Sequence, residues 1–156
     1  MKRVLLCVLS LCLLICFTGC DMSSLDKEPI TANRFVDYFD GIASFEVYDR
    51  GVNNDTYSCV IEADNKDNKY DIFYYEYQNV GDAKYEFGEL VAEVNKFYGD
   101  NTVKNSKDIG NTNRYAIGDS ETYSVVSRIG NTIIFTSTVP KKYQEEVKDY
   151  LDELGY

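Results

Sequence analysis

The side chains that enzymes most often use for catalysis are scarce in this sequence of 156 residues. It contains no histidine, so the usual Ser-His-Asp and Cys-His sites cannot form. Cys59 lacks a base partner of that kind, and we interpret it as a small apolar side chain on a strand. The remaining possibility is a pair of carboxylates, Glu62 and Glu76, on neighbouring predicted strands. Such a pair performs general acid–base chemistry in enzymes that hydrolyse glycans.

Metal ligands are equally few. Zinc sites draw mainly on His and Cys. Asp64, Asp67 and Asp71 crowd a predicted turn with the oxygen ligands that calcium prefers, but Lys66 and Lys69 interrupt the spacing of a calcium loop. We therefore expect no metal, no cofactor and no enzymatic activity.

Tyrosine is the unusual feature of the composition, with 14 tyrosines and no tryptophan. Its ring and hydroxyl group combine an apolar body with a polar tip, and tyrosine is enriched at recognition surfaces. Tyr74, Tyr75, Tyr77 and Tyr123 fall on predicted strands. They would form a binding face for a peptide or a sugar if helices left one side of the sheet uncovered. The alternative is that these rings fill the core and the sheet edges.

The first 20 residues read MKRVLLCVLSLCLLICFTGC. A basic start at Lys2 and Arg3 precedes an uncharged apolar run over residues 4–17. That run is shorter than the roughly 20 apolar residues that span a bilayer. Together with the small residues that follow it, the run is typical of a cleaved secretory signal peptide.

Residues 17–20, Phe-Thr-Gly-Cys, resemble a bacterial lipobox, in which the signal peptide is cut directly before the cysteine. The resemblance implies cleavage between Gly19 and Cys20 and a covalent lipid on Cys20. The expected location is therefore the outer face of the cell membrane, with the chain held there by its lipid anchor.

These observations divide the chain into a signal peptide (1–19), a lipidated cysteine with a tether (20–30) and one domain (31–156). Cleavage would remove Lys2 and Arg3 and leave 14 basic residues against 26 acidic ones, a net charge of −12. A charge of this sign argues against nucleic acid as a partner, because phosphates require basic patches. It is compatible with solubility alone or with a cationic partner.

Hydrophobic spacing predicts three helices. The first covers residues 31–40, the second is capped by Asp82 and ended by Gly99, and the third is opened by Pro140 and ended by Gly155. Strands are predicted at 45–48, 57–63, 70–77, 114–117, 121–129 and 132–139, with Gly130-Asn131 as a two-residue hairpin turn. Residues 100–113 are predicted as a long loop with room for one short edge strand.

The predicted element order is therefore α-β-β-β-α-β-β-β-α. Strands that follow one another through tight turns form antiparallel sheets. We expect an α+β fold with an antiparallel sheet of five to six strands and helices packed mainly on one face.

Four segments, at residues 70–77, 82–87, 125–132 and 143–156, resemble small uncharacterised lipoproteins of Gram-positive bacteria that carry an α+β domain after the tether. The resemblance implies a fold and a location but no activity. The expected function is a non-catalytic binding or interaction module of the cell envelope, with an envelope protein, a peptide or a glycan as its ligand. The alternatives are a carboxylate-dependent hydrolase of cell-wall glycan and an immunity-type protein that binds a cationic peptide.

Overall fold

A computed structural model describes residues 26–52, 55–67, 70–98 and 102–156, and the structural statements below refer to these ranges. The predicted signal peptide and Cys20 lie outside them. The helices are α1 (Ala32–Asp40), α2 (Val80–Tyr98) and α3 (Gln144–Glu153), and a 3₁₀ turn at Lys141–Tyr143 precedes α3. The strands are β1 (Phe45–Asp49), β2 (Tyr57–Asn65), β3 (Tyr70–Tyr77), β4 (Val103–Ile109), β5 (Thr112–Gly118), β6 (Thr122–Ile129) and β7 (Thr132–Pro140).

The seven strands form one antiparallel sheet in the order β1-β2-β3-β7-β6-β5-β4. Two meanders, β1–β3 and β4–β7, meet at its centre, where Phe73 lies opposite Phe135. The α+β class and the antiparallel sheet are thus confirmed. The sheet has seven strands where five to six were expected.

Helices cover both faces of this sheet. On one face, called the front face below, α1 and α3 pack over residues such as Tyr74 and Ile134. On the opposite face, called the back face, α2 packs over Ile133 and Val126. Because successive strand residues point to opposite faces, Ile133 and Ile134 belong to different layers. The expectation of helices mainly on one face holds for α1 and α3, whereas α2 departs from it.

The helix boundaries follow from capping and from apolar spacing. Thr31 caps α1 by accepting a hydrogen bond from the Arg34 backbone N–H at 3.3 Å, as a threonine at this position does. Phe35 and Phe39, one turn apart on α1, are fully buried on the front face. Asn79 caps α2 by accepting from the Asp82 N–H at 3.0 Å, so this helix begins slightly before its predicted start.

The loop predicted at residues 100–113 contains the edge strand β4, which is seven residues long. It pairs with β5 along its whole length. All of its residues are exposed, so it lacks the apolar–polar alternation on which strand prediction rests. Lys104 and Lys107 give this edge the charges that commonly discourage pairing with a further strand.

The folded part of the chain also includes residues 26–30, called the docked segment below. Asn111, in the turn between β4 and β5, donates from Nδ2 to the Lys27 carbonyl oxygen at 2.8 Å and accepts from the Lys27 N–H at 2.9 Å. Its own N–H donates to Asp26 Oδ1 at 2.9 Å. Ile30 is buried against the front-face core. This part of the predicted tether is therefore bound to the domain.

Candidate functional site

The structure divides the four tyrosines that were predicted to form a binding face. Tyr74 and Tyr123 lie on the front face, with 0% and 5% of their surface exposed. Tyr77 lies on the back face with 1% exposed. Of the four, Tyr75 alone is partly exposed. The expectation that these residues share one open face is therefore wrong.

Tyr74 belongs to the core beneath α1. Its ring centroid lies 5.3 Å from that of Phe35, and its hydroxyl donates to the Ile30 carbonyl oxygen at 3.0 Å. Burial raises the pKa of this phenol well above its ordinary value, and the charge of Glu76 raises it further. The tyrosine joins the docked segment to the sheet and takes no part in a surface.

A different set of rings forms an open surface on the back face. Tyr57, Phe73, Tyr75 and Phe135 are each partly exposed and form a continuous row, called the aromatic strip below. Ring centroids are 5.8 Å apart for Tyr57 and Tyr75, 6.0 Å for Phe73 and Tyr75, and 6.5 Å for Phe73 and Phe135. Of the predicted site residues, Tyr75 belongs to this strip.

The strip is open because α2 covers only part of the back face. This helix packs over β5, β6 and β7 and reaches β3. The sheet extends beyond it, and Glu46 and Tyr48 of β1 are exposed on the back face. The aromatic strip lies at the border between the covered and the uncovered part.

Carboxylates lie on both sides of the strip. Glu62 of β2 lies on one side, whereas Glu86 and Glu93 of α2 lie on the other, seven residues apart and hence on the same side of the helix. Burial raises the pKa of the Tyr75 phenol to about 12, with further contributions from Tyr57 and from these three carboxylates. The strip therefore lies in a negative electrostatic field.

One cation of the chain already binds at this surface. Arg50, directly after β1, forms an ion pair with Glu62 through its Nε. The centre of its guanidinium lies 5.0 Å from the centroid of the Tyr48 ring. A carboxylate and an aromatic ring thus hold a guanidinium together, as cation–π and charge-assisted contacts do in other proteins.

A small cavity of about 150 Å³ lies at one end of the strip, between α2 and β7. Glu93, Phe97 and Phe135 contribute to its lining, together with Ser137 and Thr138. A cavity of roughly this volume admits a group the size of benzene. Thr138 has a φ of 54°, which is a strained conformation for a β-branched residue. The strip therefore ends at a small cavity, and one residue of its lining, Thr138, has a strained backbone conformation.

Further acidic residues lie beside the strip on the back face. Asp64 of β2 lies opposite both Glu46 of β1 and Asp71 of β3. Burial raises the pKa of Asp71, and the neighbouring Glu62 and Asp64 add to this rise. Within the described ranges, no three His, Cys, Asp or Glu residues are arranged to hold a metal ion. This cluster adds to the negative field.

Glu62 and Glu76 do not form a catalytic pair. Glu62 lies opposite Phe73 and belongs to the back face. Glu76 points to the front face, where it accepts a hydrogen bond from the Tyr74 hydroxyl at 3.4 Å. Two carboxylates on opposite sides of a sheet cannot act on one substrate, so this candidate hydrolase site is wrong.

Cys59 is a free thiol, partly buried against the front-face core. Burial raises the pKa of this thiol, and Asp49 and Glu76 raise it further. The thiolate is the nucleophilic form of cysteine, so these surroundings disfavour nucleophilic catalysis at this position.

Comparison with known proteins returns no match to this chain among family models, curated proteins or solved structures. Within the described ranges, no helix has both the length and the apolar character needed to cross a membrane.

Sequence reasoning missed Phe73, Phe135, Glu86 and Glu93 as site residues. The alternation in β3 places Phe73 on the same face as Tyr75, and the spacing in α2 places both glutamates on one side. Neither pattern reveals that α2 lies beside β3, because that contact joins elements that pack only in the tertiary fold.

Proposed function

We propose that this chain is a non-catalytic binding module, anchored by a lipid on Cys20 at the outer face of the cell membrane. Its ligand is a cationic segment of another polypeptide of the cell envelope, and the aromatic strip is the binding surface. The observation that carries this proposal is a row of four partly exposed rings, bordered by carboxylates from two elements.

The chemistry of the strip favours a cationic ligand over a neutral one. Aromatic rings attract Lys and Arg side chains through their π electrons, by about 0.5–1 kcal/mol each at exposed sites. Glu86 and Glu93 would add charge-assisted hydrogen bonds to the same side chains. The contact of Arg50 with Glu62 and Tyr48 provides an example of this recognition within the chain itself.

The charge of the whole chain supports the same ligand class. Its formal net charge is −10, from 26 acidic and 16 basic residues. A negative field of this kind attracts cationic partners over long distances and accelerates their association. An immunity-type role, in which the ligand is an incoming cationic peptide, would use the same surface.

The anchor rests on the sequence of residues 1–20 and is tested at Cys20. In the Cys20→Ser variant, we expect release into the medium or retention of the unprocessed precursor, because the lipid acceptor is gone. Cell fractionation and metabolic lipid labelling measure both outcomes. Cys59→Ser is the matched control and should keep the wild-type location and label. Unchanged lipid labelling of Cys20→Ser would refute the anchor.

The ligand class is tested by fluorescence anisotropy, with labelled octa-arginine as the probe and the full chain in nonionic detergent micelles. Glu86→Gln and Glu93→Gln should each weaken binding roughly two- to fivefold at low salt, the range of an exposed ion pair. Glu121→Gln, in the exposed turn between β5 and β6, removes the same charge away from the strip and should leave binding unchanged.

The aromatic ring is tested separately from the charges. Tyr75→Leu keeps much of the apolar volume but removes the π system, so octa-arginine should bind more weakly while the unfolding temperature changes little. Equal weakening by Glu121→Gln would show that octa-arginine responds only to net charge. Binding of a chitin oligosaccharide in place of octa-arginine would identify a glycan ligand and overturn the peptide proposal.

A further inference from the structure

A second surface of opposite charge lies on the front face, where β4 and β5 extend beyond α3. A groove of about 320 Å³ opens here. Four basic side chains from four different elements line it: Lys107 of β4, Arg114 of β5, Lys141 of the 3₁₀ turn and Lys148 of α3. None of the described residues that line it is acidic. We call it the basic groove.

The groove exists because β5 presents small residues towards α3. Ala116 and Gly118 line it, where larger side chains would fill the space. A β-carbon at Gly118 would lie 2.8 Å from the Thr122 carbonyl oxygen and 3.3 Å from Lys141 Nζ. Glycine at this position therefore keeps room beside the lysine.

Two of the four cations are held in place by carboxylates at the margin of the groove. Arg114 donates to Asp152 at 2.8 Å and to the Tyr156 carbonyl oxygen at 3.1 Å. Lys148 forms an ion pair with Glu145 at 3.3 Å. The Arg114 contacts orient its guanidinium, and the two carboxylates formally balance the charges of Arg114 and Lys148. The unpaired positive charge of the groove therefore comes from the other two cations.

The other two cations, Lys107 and Lys141, take part in no ion pair within the described ranges. Both line the groove in a chain with ten more acidic than basic residues. Carboxylate partners are plentiful in such a chain, yet these lysines do not pair with them. Positive charges that converge on one concave site repel each other, and a bound anion would offset this repulsion.

Tyr123 adds a polar group to the lining of the groove. Burial raises the pKa of its phenol, and the adjacent Arg114 guanidinium opposes that rise. Both the phenol and the guanidinium line the groove. Together they provide hydrogen-bond donors to an anion seated between β5 and α3.

From this arrangement we infer that the basic groove binds a small ligand that carries phosphate groups. The volume of the groove lies near the lower end of the about 300–1,000 Å³ of small-molecule sites. Lysine binds phosphate as a point charge, and arginine adds directed donors. The site lies on the face of the sheet opposite the aromatic strip, so the two ligands do not compete for the same surface.

Isothermal titration calorimetry of the full chain with sodium pyrophosphate, in nonionic detergent micelles, tests this inference. We expect saturable binding that Lys107→Gln and Lys141→Gln each weaken about threefold, as loss of one exposed charge contact does. Because neither lysine is ion-paired in the described ranges, both variants should keep the wild-type unfolding temperature. Lys84→Gln, on the exposed surface of α2, is the control and should bind pyrophosphate like the wild type.

The inference is overturned if pyrophosphate gives no saturable heat, or if Lys84→Gln weakens binding as much as the groove variants do. Competition then identifies the source of the phosphate group. Displacement of pyrophosphate by phosphatidylglycerol in the micelles would identify a lipid headgroup. Displacement by glycerol 3-phosphate alone would identify a soluble phosphomonoester. Either displacement supports the site, and both are independent of the octa-arginine experiment.

Discussion

Tyrosine residues occupy several different environments in this protein, and the environment decides what each contributes. Tyr74 is buried in the core and bonded to the Ile30 carbonyl. Tyr38 and Tyr150 lie at the boundary of the core and donate to Glu153 and Glu146 at 2.7 and 2.6 Å. Tyr75 belongs to the open aromatic strip. Much of the tyrosine content therefore serves packing.

The buried position of Tyr74 makes a direct prediction about stability. Tyr74→Ala should lower the free energy of unfolding by about 3–5 kcal/mol, because a large buried ring leaves a cavity. Tyr74→Phe keeps the ring and loses the hydrogen bond to Ile30, so its cost should be about 1 kcal/mol. Urea unfolding measures both values.

Tyr85→Ala is the matched control for these variants, since Tyr85 lies on α2 with 67% of its surface exposed. Its effect should stay within about 0.5 kcal/mol. If Tyr74→Ala were as stable as Tyr85→Ala, this would indicate that Tyr74 lies at the surface and would contradict its placement in the core.

At the scale of elements, two turns of identical sequence have related roles at one end of the sheet. Gly110-Asn111-Thr112 joins β4 to β5, and Gly130-Asn131-Thr132 joins β6 to β7. Both glycines have positive φ, 58° and 56°, a conformation that glycine adopts without strain. Asn111 binds the docked segment, whereas Asn131 donates from Nδ2 to the Tyr77 carbonyl oxygen at 2.9 Å.

Replacement of Asn111 should therefore loosen the docked segment. Asn111→Ala removes the two side-chain hydrogen bonds to Lys27 and keeps the backbone N–H bond to Asp26. Trypsin should therefore cleave after Lys27 faster, and amides 26–30 should exchange faster with deuterium. The loss of global stability should be modest, about 1–2 kcal/mol. Mass spectrometry measures the cleavage and the exchange.

The second turn provides the matched control. Asn131→Ala removes a hydrogen bond to β3 from the equivalent turn position. It should lower stability by a similar amount without faster cleavage after Lys27. Equal cleavage in both variants would mean that Asn111 does not hold the docked segment in particular.

At the scale of the whole molecule, the docked segment fixes the end of the sheet at which the chain enters the domain. Asp26 lies beside the β4–β5 turn. Gly118, Lys141 and the small cavity at Thr138 lie towards the opposite end, near the β5–β6 turn. Under the proposed anchor, the five residues between Cys20 and Asp26 allow a separation of at most about 20 Å. The end of the basic groove at Gly118 and Lys141 would then lie away from the bilayer, whereas the Tyr57 end of the aromatic strip lies near the end of the sheet at which the chain enters.

The buried tyrosines also set how the stability of the whole fold depends on pH. Folding raises the phenol pKa of tyrosines on both faces, to about 12 for Tyr75 and further above its ordinary value for Tyr74, Tyr77 and Tyr156. The folded state therefore retains protons that the unfolded state releases above about pH 10. Stability should fall slightly from about pH 8.5, because the pKa of the Cys59 thiol is also raised on folding, and more steeply above about pH 10.

Urea unfolding across this pH range measures the fall, and absorbance at 295 nm reports how many phenols ionise before unfolding. Most phenols should ionise together with unfolding, because most are protected in the folded state. Ionisation of all tyrosines near pH 10 in a chain that stays folded would contradict this expectation.

The sequence determined the local structure of most elements, because capping, apolar spacing and turn residues act over a few positions. The helix over residues 31–40, the helical spacing of α2 and the Gly130-Asn131 hairpin are confirmed on those grounds. The length of the edge strand β4 was underestimated because its exposed residues do not alternate between apolar and polar. The turn that follows it has the same Gly-Asn-Thr sequence as the hairpin at Gly130, and this was the available signal.

Only the tertiary structure decided which tyrosine side chains are exposed to solvent and which carboxylates lie close to one another. Alternation along β3 establishes that Tyr74 and Tyr75 point to opposite faces, but it does not say which face a helix covers. That depends on α2 crossing the back face and stopping short of β1 and β2, a contact between residues far apart in the chain. The aromatic strip and the basic groove both result from where the helices leave the sheet uncovered.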